Sequence, residues 1–187
     1  INAHQINTIC WVVPALTMIS GLGAFEKAVP SSLKTIAFGS EVFPARQLAL
    51  WRKYVPNARY INLYGPTEAT GMSCYYVVDR EFKEDEVIPI GRPFPNTGIL
   101  LLNEDGKEVT QGEKGEICIR GTAVTMGYYR QPEKTAGNFV QNPLNKDYPE
   151  IIYKTGDLGY YNDRGELMFA SRKDYQIKHM GHRIELG

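Results

Sequence analysis

The 187-residue sequence lacks several features that would point directly to a class of protein. It has no excess of either charge, because 21 basic side chains balance 21 acidic ones. A neutral chain has no bulk attraction for nucleic acids or anionic membranes, so we expect neither as a partner. It also has no apolar run of the roughly 18 residues that a membrane-spanning helix needs. The nearest candidate, residues 9–22, is too short and contains Pro14, so we expect no membrane insertion.

Cysteine and histidine are scarce as well, at three of each. The cysteines lie far apart in apolar surroundings, no CxxC occurs, and the histidines form no metal-ligand cluster. These features exclude a disulfide scaffold and a structural zinc site. We therefore predict that Cys10, Cys74 and Cys118 are buried free thiols in a reducing compartment, which favours a cytoplasmic protein.

The first half of the chain alternates short apolar runs with helical patterns. The apolar runs are residues 9–13, 33–38, 60–63 and 72–78, and the helical patterns are residues 15–25 and 44–54. Buried strands separated by helices are typical of an α/β layer with a largely parallel sheet.

The pattern changes after residue 78. A charged connector, residues 79–86, is predicted to be a solvated loop. Beyond it come short strands separated by glycine-containing turns. The predicted strands are residues 98–102, 115–121, 151–155, 158–161 and 167–170, with turns at 103–106 and 162–165. This spacing predicts a small barrel or sandwich, with a boundary between the two parts near residue 88.

One motif carries several chemical groups in a short space. Residues 62–70 read NLYGPTEAT and follow an apolar run, the position where α/β proteins bind ligands. Tyr64 offers a flat face to a heterocycle, and Gly65 lets a ligand approach the backbone. Thr67 can donate to a phosphate oxygen, and Glu68 is a carboxylate of the kind that Mg²⁺ takes together with phosphate oxygens. The alternative is a structural turn in which Thr67 caps a helix and Glu68 lies in its first turn.

Three further stretches favour a binding site over a turn. GSE, residues 39–41, follows another apolar run, so we expect it at the same edge of the sheet. YKTGDL, residues 153–158, places Asp157 after a glycine turn, where a carboxylate can accept both hydroxyls of a ribose. An aspartate-stabilised turn is the alternative there. SRKDYQIK, residues 171–178, is charged, and its alternative is a solvated strand edge.

Taken in order, these stretches resemble the motifs of the adenylate-forming superfamily. That family contains acyl-CoA synthetases, adenylation domains of nonribosomal peptide synthetases, D-alanine–carrier-protein ligases and luciferases. NLYGPTEAT is similar to its aromatic-Gly-Pro-Thr-Glu motif, and GEICIRGTAVTMGYY, residues 115–129, to its Gly-Glu-Leu motif. YKTGDL and RKDYQIKHMGHRIELG, residues 172–187, are similar to the next two. The resemblance covers essentially the whole chain.

The resemblance implies a fold and a division of the chain. Residues 1–88 would be an α/β subdomain with the adenine and acyl pocket, and residues 89–174 a small distorted β-barrel subdomain. Residues 175–187 would begin the C-terminal lid domain. The chain would thus be a fragment of the large N-terminal domain of an adenylate-forming enzyme, which agrees with its start on Ile1 instead of methionine.

The resemblance also implies a role for each matching residue. Tyr64 would stack on adenine and Asp157 would bind the ribose hydroxyls, and the full nucleotide-binding set would be Gly39, Ser40, Glu41, Asn62, Tyr64, Gly65 and Asp157. The catalytic set would be Thr67 at the α-phosphate, Glu68 on Mg²⁺ and Arg172 at the ribose or phosphate. The acyl pocket would be lined by Ile36, Phe38, Leu63, Gly71 and Met72. Asp174 would be the hinge of the lid.

The activity implied is that of an ATP-dependent, AMP-forming ligase. A carboxylic acid would be activated as an acyl-adenylate and transferred to a pantetheine thiol of a carrier protein or of CoA. The sequence resembles amino-acid-activating members most, either D-alanine–carrier-protein ligases or peptide-synthetase adenylation domains. An acyl-CoA synthetase and a non-catalytic nucleotide-binding remnant are the alternatives. Because Phe38, Leu63 and Met72 are bulky and apolar, we expect a small or modest acyl group.

The sequence departs from the family pattern in places. Ser171 stands where a glycine commonly precedes the motif arginine, and Ser40 where many members have a second glycine. The family's Gly/Ser/Thr-rich phosphate loop and the catalytic lysine of its lid have no counterpart in these 187 residues. We therefore expect this fragment to bind nucleotide weakly and not to catalyse adenylation.

Overall fold

The computed structural model describes residues 1–173, 176–179 and 182–185. The chain folds as two units. The first comprises residues 1–63 and 76–89 with residues 176–179 and 182–185, and the second comprises residues 64–75 and 90–173. Residues 64–75, which the sequence placed in the α/β part, thus fall in the second unit. The division into family subdomains stays a prediction.

The first unit is built on three parallel strands with helices between them. In chain order its elements are β1 (Thr8–Val12), α1 (Val13–Gly21), α2 (Ala24–Lys27), β2 (Thr35–Gly39), α3 (Ala45–Tyr54) and β3 (Arg59–Tyr64). β2 pairs in parallel with both β1 and β3. The predicted α/β layer is therefore confirmed. The single predicted helix over residues 15–25 is wrong in one respect, because Gly23, at φ +65°, separates two helices.

The core of the first unit is a continuous apolar cluster. Pro44, which has no N–H to satisfy, precedes α3. Within α3, Leu48 and Trp51 are buried at helical spacing, and Val55 follows on the same face. The members of the cluster are Ile9, Val13, Leu16, Phe25, Leu33, Ile36, Phe38, Phe43, Leu48, Trp51, Val55, Tyr60, Val78 and Ile88. This cluster holds the helices against the sheet.

The second unit is dominated by antiparallel strands. They are β6 (Thr97–Leu102), β7 (Gly115–Gly121), β8 (Phe139–Gln141), β9 (Ile151–Tyr161) and β10 (Leu167–Arg172), with α4 (Pro132–Asn138) before β8. The strand order is β10–β9–β7–β6, and β8 pairs with β9. The sheet is curled into a half-barrel, as the fold class predicts.

Short pairings complete the described chain. β4 (Cys74–Val77) pairs antiparallel with β5 (Arg92–Pro93) through Cys74 and Tyr75. β11 (Gln176–His179) pairs antiparallel with β12 (His182–Glu185). Turns follow β6 and β9 as predicted, with Gly106 and Gly165 both at positive φ. No helix in the described part of the chain is long and apolar enough to cross a bilayer.

Two local predictions are wrong, and two elements are unpredicted. The predicted strands 151–155 and 158–161 are one strand, β9, because Gly156 at φ +72° is accommodated within it. Neither α4 nor β8 corresponds to a predicted element. Cys10 is exposed on β1, whereas Cys74 and Cys118 are buried as predicted.

Candidate functional site

Asp157 is the centre of a polar cluster in the second unit. It lies on β9 and is 8% exposed. The Tyr64 hydroxyl donates to Asp157 Oδ2 at 2.6 Å. The Arg172 guanidinium contacts Asp157 Oδ1 at 2.5 Å, and its other nitrogen donates to the Thr155 carbonyl oxygen at 3.3 Å. Three predicted site residues, distant in the sequence, are thus joined through one carboxylate.

The strands explain why these side chains meet. Arg172 ends β10 and pairs in register with Asp157 on β9. Tyr64 is the last residue of β3 and the first residue of the second unit, and its ring packs against an apolar cluster of that unit. That cluster consists of Cys74, Ile90, Leu101, Ile117 and Leu167. The ring is therefore fixed by packing, and only its hydroxyl reaches the carboxylate.

The surroundings of Tyr64 keep its hydroxyl protonated. Burial, together with the nearby charge of Asp157, raises the pKa of Tyr64 well above its ordinary value. The phenol therefore stays a hydrogen-bond donor to Asp157 throughout the physiological pH range. A donor of this kind favours the ionised carboxylate, the form that accepts hydroxyl groups from a ligand.

The loop after Tyr64 is tightly packed on itself. A Cβ at Gly65 would lie 2.2 Å from the carbonyl oxygen of Gly71 and 2.4 Å from the amide nitrogen of Ser73. Packing within the loop is thus a structural reason for glycine at this position, and its contact with a ligand stays a prediction. Thr67 is exposed and begins a 3-10 turn, Thr67–Ala69, with Pro66 at the N-cap position. The alternative in which Thr67 caps a helix is therefore wrong.

Glu68 is buried at 7% exposure. Its Oε1 accepts a hydrogen bond from the Tyr128 hydroxyl at 2.7 Å, and that hydroxyl lies 3.4 Å from the Tyr153 hydroxyl. Its carbonyl oxygen accepts from the Thr125 amide at 2.9 Å. Glu68 is thus a positioned carboxylate, and the segment around Tyr128 is what positions it.

A metal site built from protein ligands alone is not present in the part of the chain that the structure describes, where no group of three or more His, Cys, Asp or Glu residues could hold an ion. Mg²⁺ commonly takes only one or two carboxylates and completes its shell with waters and phosphate oxygens. The single positioned carboxylate of Glu68 fits that mode of binding.

The first unit holds the other predicted nucleotide-binding residues. Gly39 pairs with Leu63 at the ends of parallel strands β2 and β3, so GSE and the end of β3 lie at one sheet edge, as predicted. A Cβ at Gly39 would lie 2.4 Å from the Leu63 carbonyl oxygen. Ser40 has φ +76°. Asn62 is buried, and its side-chain amide donates to the Pro89 carbonyl oxygen at 2.9 Å.

The predicted acyl-pocket residues differ in their surroundings. Ile36 and Phe38 are fully buried in the core of the first unit, with Phe38 against the Phe43 ring at 4.8 Å. Leu63 is half-buried, whereas Met72 is 40% exposed and follows Gly71 at φ +90°. Their role in substrate binding stays a prediction. The predicted hinge residue, Asp174, lies outside the described residues.

Several further residues around the site have no role assigned by the motifs. Glu116 on β7 is 7% exposed and accepts a hydrogen bond from the Gly156 amide at 3.1 Å. The Thr155 hydroxyl donates to the Ile117 carbonyl oxygen and accepts from the Asp157 amide. A charged residue inside the apolar strand GEICIRG was the signal that could have identified Glu116. Tyr128 lies in the motif at residues 115–129, but its contact with Glu68 spans 60 residues of sequence and does not follow from the motif.

The chain is similar to several known proteins. The family model for the AMP-binding enzyme matches residues 1–129. Bacitracin synthase 1 of Bacillus licheniformis is 40% identical over 157 residues, which cover 84% of this chain and 3% of that protein. PA1221, an NRPS protein containing adenylation and PCP domains, is 28% identical with a TM-score of 0.87 over 98% of this chain and 37% of that one.

A second solved structure is the Vibrio cholerae adenylation domain AlmE in complex with glycyl-adenosine-5'-phosphate. It is 25% identical with a TM-score of 0.85, over 99% of this chain and 35% of that one. The chain thus spans between a few per cent and about a third of the length of these proteins. Because the family model matches more than half of its residues, the chain belongs to the AMP-binding enzyme family.

Proposed function

We propose that the chain is the nucleotide-binding part of an enzyme that activates an amino acid with ATP and passes it to the pantetheine thiol of a carrier protein. The observation that carries this proposal is the cluster of Tyr64, Asp157 and Arg172, in a chain of the AMP-binding family. An ionised carboxylate can accept about four hydrogen bonds. Asp157 can therefore accept the two hydroxyls of a ribose alongside its protein donors.

The proposed roles at the nucleoside follow the motifs. Tyr64 presents its ring to adenine while its hydroxyl orients Asp157. Gly39, Ser40 and Glu41 provide backbone at the end of β2 for the purine, and Asn62 lies on the neighbouring strand β3. A Cβ at Gly39 would meet the Leu63 carbonyl oxygen, so the close approach of β3 requires glycine at this position.

The proposed roles at the phosphates involve three polar side chains. Thr67 is exposed and can donate its hydroxyl to the α-phosphate. Arg172 can share its guanidinium between Asp157 and a phosphate oxygen. Glu68 would hold Mg²⁺, which when bound neutralises charge that develops on the phosphate oxygens.

The two half-reactions need positioning more than side-chain chemistry. The substrate carboxylate attacks the α-phosphorus of ATP, and pyrophosphate leaves as the acyl-adenylate forms. The thiol then attacks the carbonyl carbon of the mixed anhydride, and AMP leaves. No protein nucleophile takes part, so the contribution of these residues is to hold the reacting groups in line and to stabilise charge.

The amino-acid substrate and the carrier protein are the finer part of the proposal. They are supported by AlmE, solved with glycyl-adenosine-5'-phosphate, and by PA1221, which contains adenylation and PCP domains. We also propose that these 187 residues alone bind nucleotide but do not turn over, because the family's phosphate loop and lid lysine have no counterpart among them.

Calorimetric titration of the chain with AMP tests the nucleoside site. Asp157→Ala should weaken AMP binding by about tenfold or more, the equivalent of one or two hydrogen bonds to a charged group. Tyr64→Ala should weaken it similarly, whereas Tyr64→Phe, which keeps the ring, should have a smaller effect. The matched control is Asp163→Ala, because Asp163 is an exposed aspartate in the turn after β9. Unchanged affinity in both alanine variants at the site would refute the assignment.

ATP–pyrophosphate exchange tests the reaction itself. We expect exchange that depends on an added carboxylic acid in the longer protein that contains this chain, and no exchange by the chain alone. A panel of amino acids and fatty acids then separates an amino-acid-activating enzyme from an acyl-CoA synthetase. If the longer protein shows no exchange with any acid, the chain is a non-catalytic nucleotide-binding remnant.

A further inference from the structure

The strand that carries Asp157 is irregular at that point. In the pairing of β7 with β9, Glu116 lies opposite Leu158 and Cys118 lies opposite Lys154. Residues 155–157 of β9 therefore face the single residue Ile117 of β7. Insertions of this kind bend a strand and re-aim a side chain, and they occur often beside active sites. The bulge at Thr155–Asp157 is what presents the Asp157 carboxylate.

A bulge releases backbone groups from the sheet ladder, and each needs a new partner. The Gly156 amide donates to Glu116 Oε1 at 3.1 Å. The Asp157 amide donates to the Thr155 hydroxyl oxygen at 3.0 Å. The Gly156 carbonyl oxygen accepts from the Lys173 amide at 2.8 Å. Glu116 is thus the side chain from β7 that takes the place of a missing ladder bond.

The second oxygen of Glu116 contacts two lysines. Lys154 Nζ lies 3.8 Å and Lys173 Nζ lies 3.5 Å from Glu116 Oε2. The Glu116 side chain is only 9% exposed, whereas both lysines are about 40% exposed. A buried carboxylate requires partners of this kind, because an unpaired charge in the interior is costly.

The two lysines lie next to the segments that carry the functional side chains. Lys154 immediately precedes the bulge on β9, and Lys173 immediately follows Arg172 on β10. One buried carboxylate on β7 therefore joins the segment that carries Asp157 to the segment that carries its partner, Arg172. Glu116 reaches the two functional side chains only through their neighbours.

We propose that Glu116 is a positioning residue: it holds the β9 bulge so that Asp157 presents its carboxylate to the hydroxyls of a bound ribose. The inference deepens the proposed function and rests on the assignment of Asp157 to the nucleoside. Glu116 contributes to nucleotide affinity without touching the nucleotide, because its loss lets the Gly156 amide and the Asp157 carboxylate move.

The first test is calorimetric titration with AMP. Glu116→Gln keeps an acceptor oxygen for the Gly156 amide, so its affinity should stay within about twofold of the unsubstituted chain. Glu116→Leu removes the acceptor and should weaken AMP binding by about tenfold, comparable to the loss of one hydrogen bond to a charged group. The matched control is Glu150→Leu. Glu150 is a carboxylate of the same unit that also accepts a side-chain hydrogen bond and pairs with Arg120, and its loss should leave AMP affinity unchanged.

A shorter acid keeps the test decisive if Glu116→Leu does not fold by circular dichroism. Glu116→Asp retains the charge but is one methylene too short to reach the Gly156 amide. It should bind AMP about tenfold more weakly than Glu116→Gln, again the equivalent of one hydrogen bond to a charged group. Equal affinities of the Asp and Gln variants would overturn the proposal.

A ligand without ribose hydroxyls separates positioning from a general loss of structure. Neither Glu116→Leu nor Glu116→Asp should change the affinity for 2′,3′-dideoxy-AMP, because this ligand has no ribose hydroxyl that could donate to Asp157. A parallel loss for both ligands would show that Glu116 only supports the fold.

A double variant separates this inference from the proposed function. In an Asp157→Ala background, the change at Glu116 should weaken AMP binding no further. If Asp157→Ala itself leaves AMP binding unchanged, the nucleoside assignment fails. If Asp157→Ala weakens binding and neither Glu116→Leu nor Glu116→Asp does so, the nucleoside assignment stands and the positioning role of Glu116 is refuted.

Discussion

The two units bury different kinds of side chain. The first unit encloses one large apolar cluster, and its buried polar groups bond mainly to backbone, as Trp51 Nε1 does to the Leu16 carbonyl oxygen. The second unit has smaller apolar clusters and buries the carboxylates of Glu68, Glu116 and Asp157. The difference separates two tasks: apolar packing supplies stability in the first unit, whereas the second unit also holds buried charged groups that need polar partners.

The largest expected effect is in the apolar core of the first unit. Trp51 is fully buried, and its ring lies edge-on to Phe25 with centroids 4.9 Å apart. Trp51→Ala should lower the free energy of unfolding by about 3–5 kcal/mol, because it leaves a cavity that the sheet and helices cannot close. The chain has two tryptophans, and the remaining one, Trp11, also belongs to the first unit, so its fluorescence in a urea titration measures the change there.

Leu22→Ala is the control for this prediction. Leu22 is 77% exposed, so its truncation should change the free energy of unfolding by less than about 0.5 kcal/mol. If the two variants were equally stable, the first unit would not depend on apolar packing, and the contrast between the units would disappear.

The next effect concerns backbone packing in the second unit. Gly65→Ala would place a methyl group against the backbone of Gly71 and Ser73, so it should destabilise the loop by about 1–3 kcal/mol. Gly137→Ala is its control, because a Cβ there meets nothing within 4 Å and alanine favours a helix over glycine by about 0.5–1 kcal/mol. Thermal unfolding followed by circular dichroism should place the two variants on opposite sides of the unsubstituted chain.

The sequence predicted the first unit more fully than the second. Strands β1 to β3 and helix α3 follow from apolar runs and from Pro44 before a helical pattern. For β9 the sequence predicts two strands separated by a turn at Gly156, and only the pairing with β7 and β10 reveals one strand with a bulge. Helix α4 has no buried residue, so no amphipathic pattern marked it.

The same limit applies to the candidate site. Tyr64, Asp157 and Arg172 could be named from motifs, because each motif is local in the sequence. Their arrangement could not be predicted from the motifs, since the Tyr64–Asp157 hydrogen bond spans 93 residues. The roles of Glu116 and Tyr128 depend entirely on such long-range contacts, at 40 and 60 residues of separation.

Alkaline pH should affect the second unit through its buried thiols. Burial raises the pKa of Cys74 and of Cys118 to about 12, from an ordinary value of 9.0. Above about pH 9 the unfolded chain loses these protons while the folded unit retains them, which favours the unfolded state. The contribution of the protonated thiols to the free energy of unfolding is therefore complete below that pH and is lost as pH rises towards 12. The free energy of unfolding should therefore fall between about pH 9 and pH 12.

Thiol replacement checks the cause of this pH dependence. Urea titrations of a Cys74→Ala, Cys118→Ala double variant should give a shallower decline than those of the unsubstituted chain. Cys10→Ala is the control, because Cys10 is exposed on the first unit and its loss should leave the slope unchanged. An identical slope in all three proteins would assign the decline to the tyrosines instead.

The smallest effect is expected at an exposed ion pair of the first unit. Arg46 Nη1 lies 3.9 Å from Glu84 Oε1, and each side chain is 76% exposed. Because water and salt screen such a pair, Arg46→Ala should change the free energy of unfolding by less than about 0.5 kcal/mol, and added salt should reduce the effect further.

The matched change in the second unit is Arg172→Ala, because the side chains of Arg172 and its partner Asp157 are only 16% and 11% exposed. Removing one partner there leaves a buried charge, so Arg172→Ala should cost distinctly more. Equal costs for the two substitutions in parallel urea titrations would mean that the buried charges of the second unit are no more protected from solvent than a surface pair. The two units would then not differ in how they hold charged side chains.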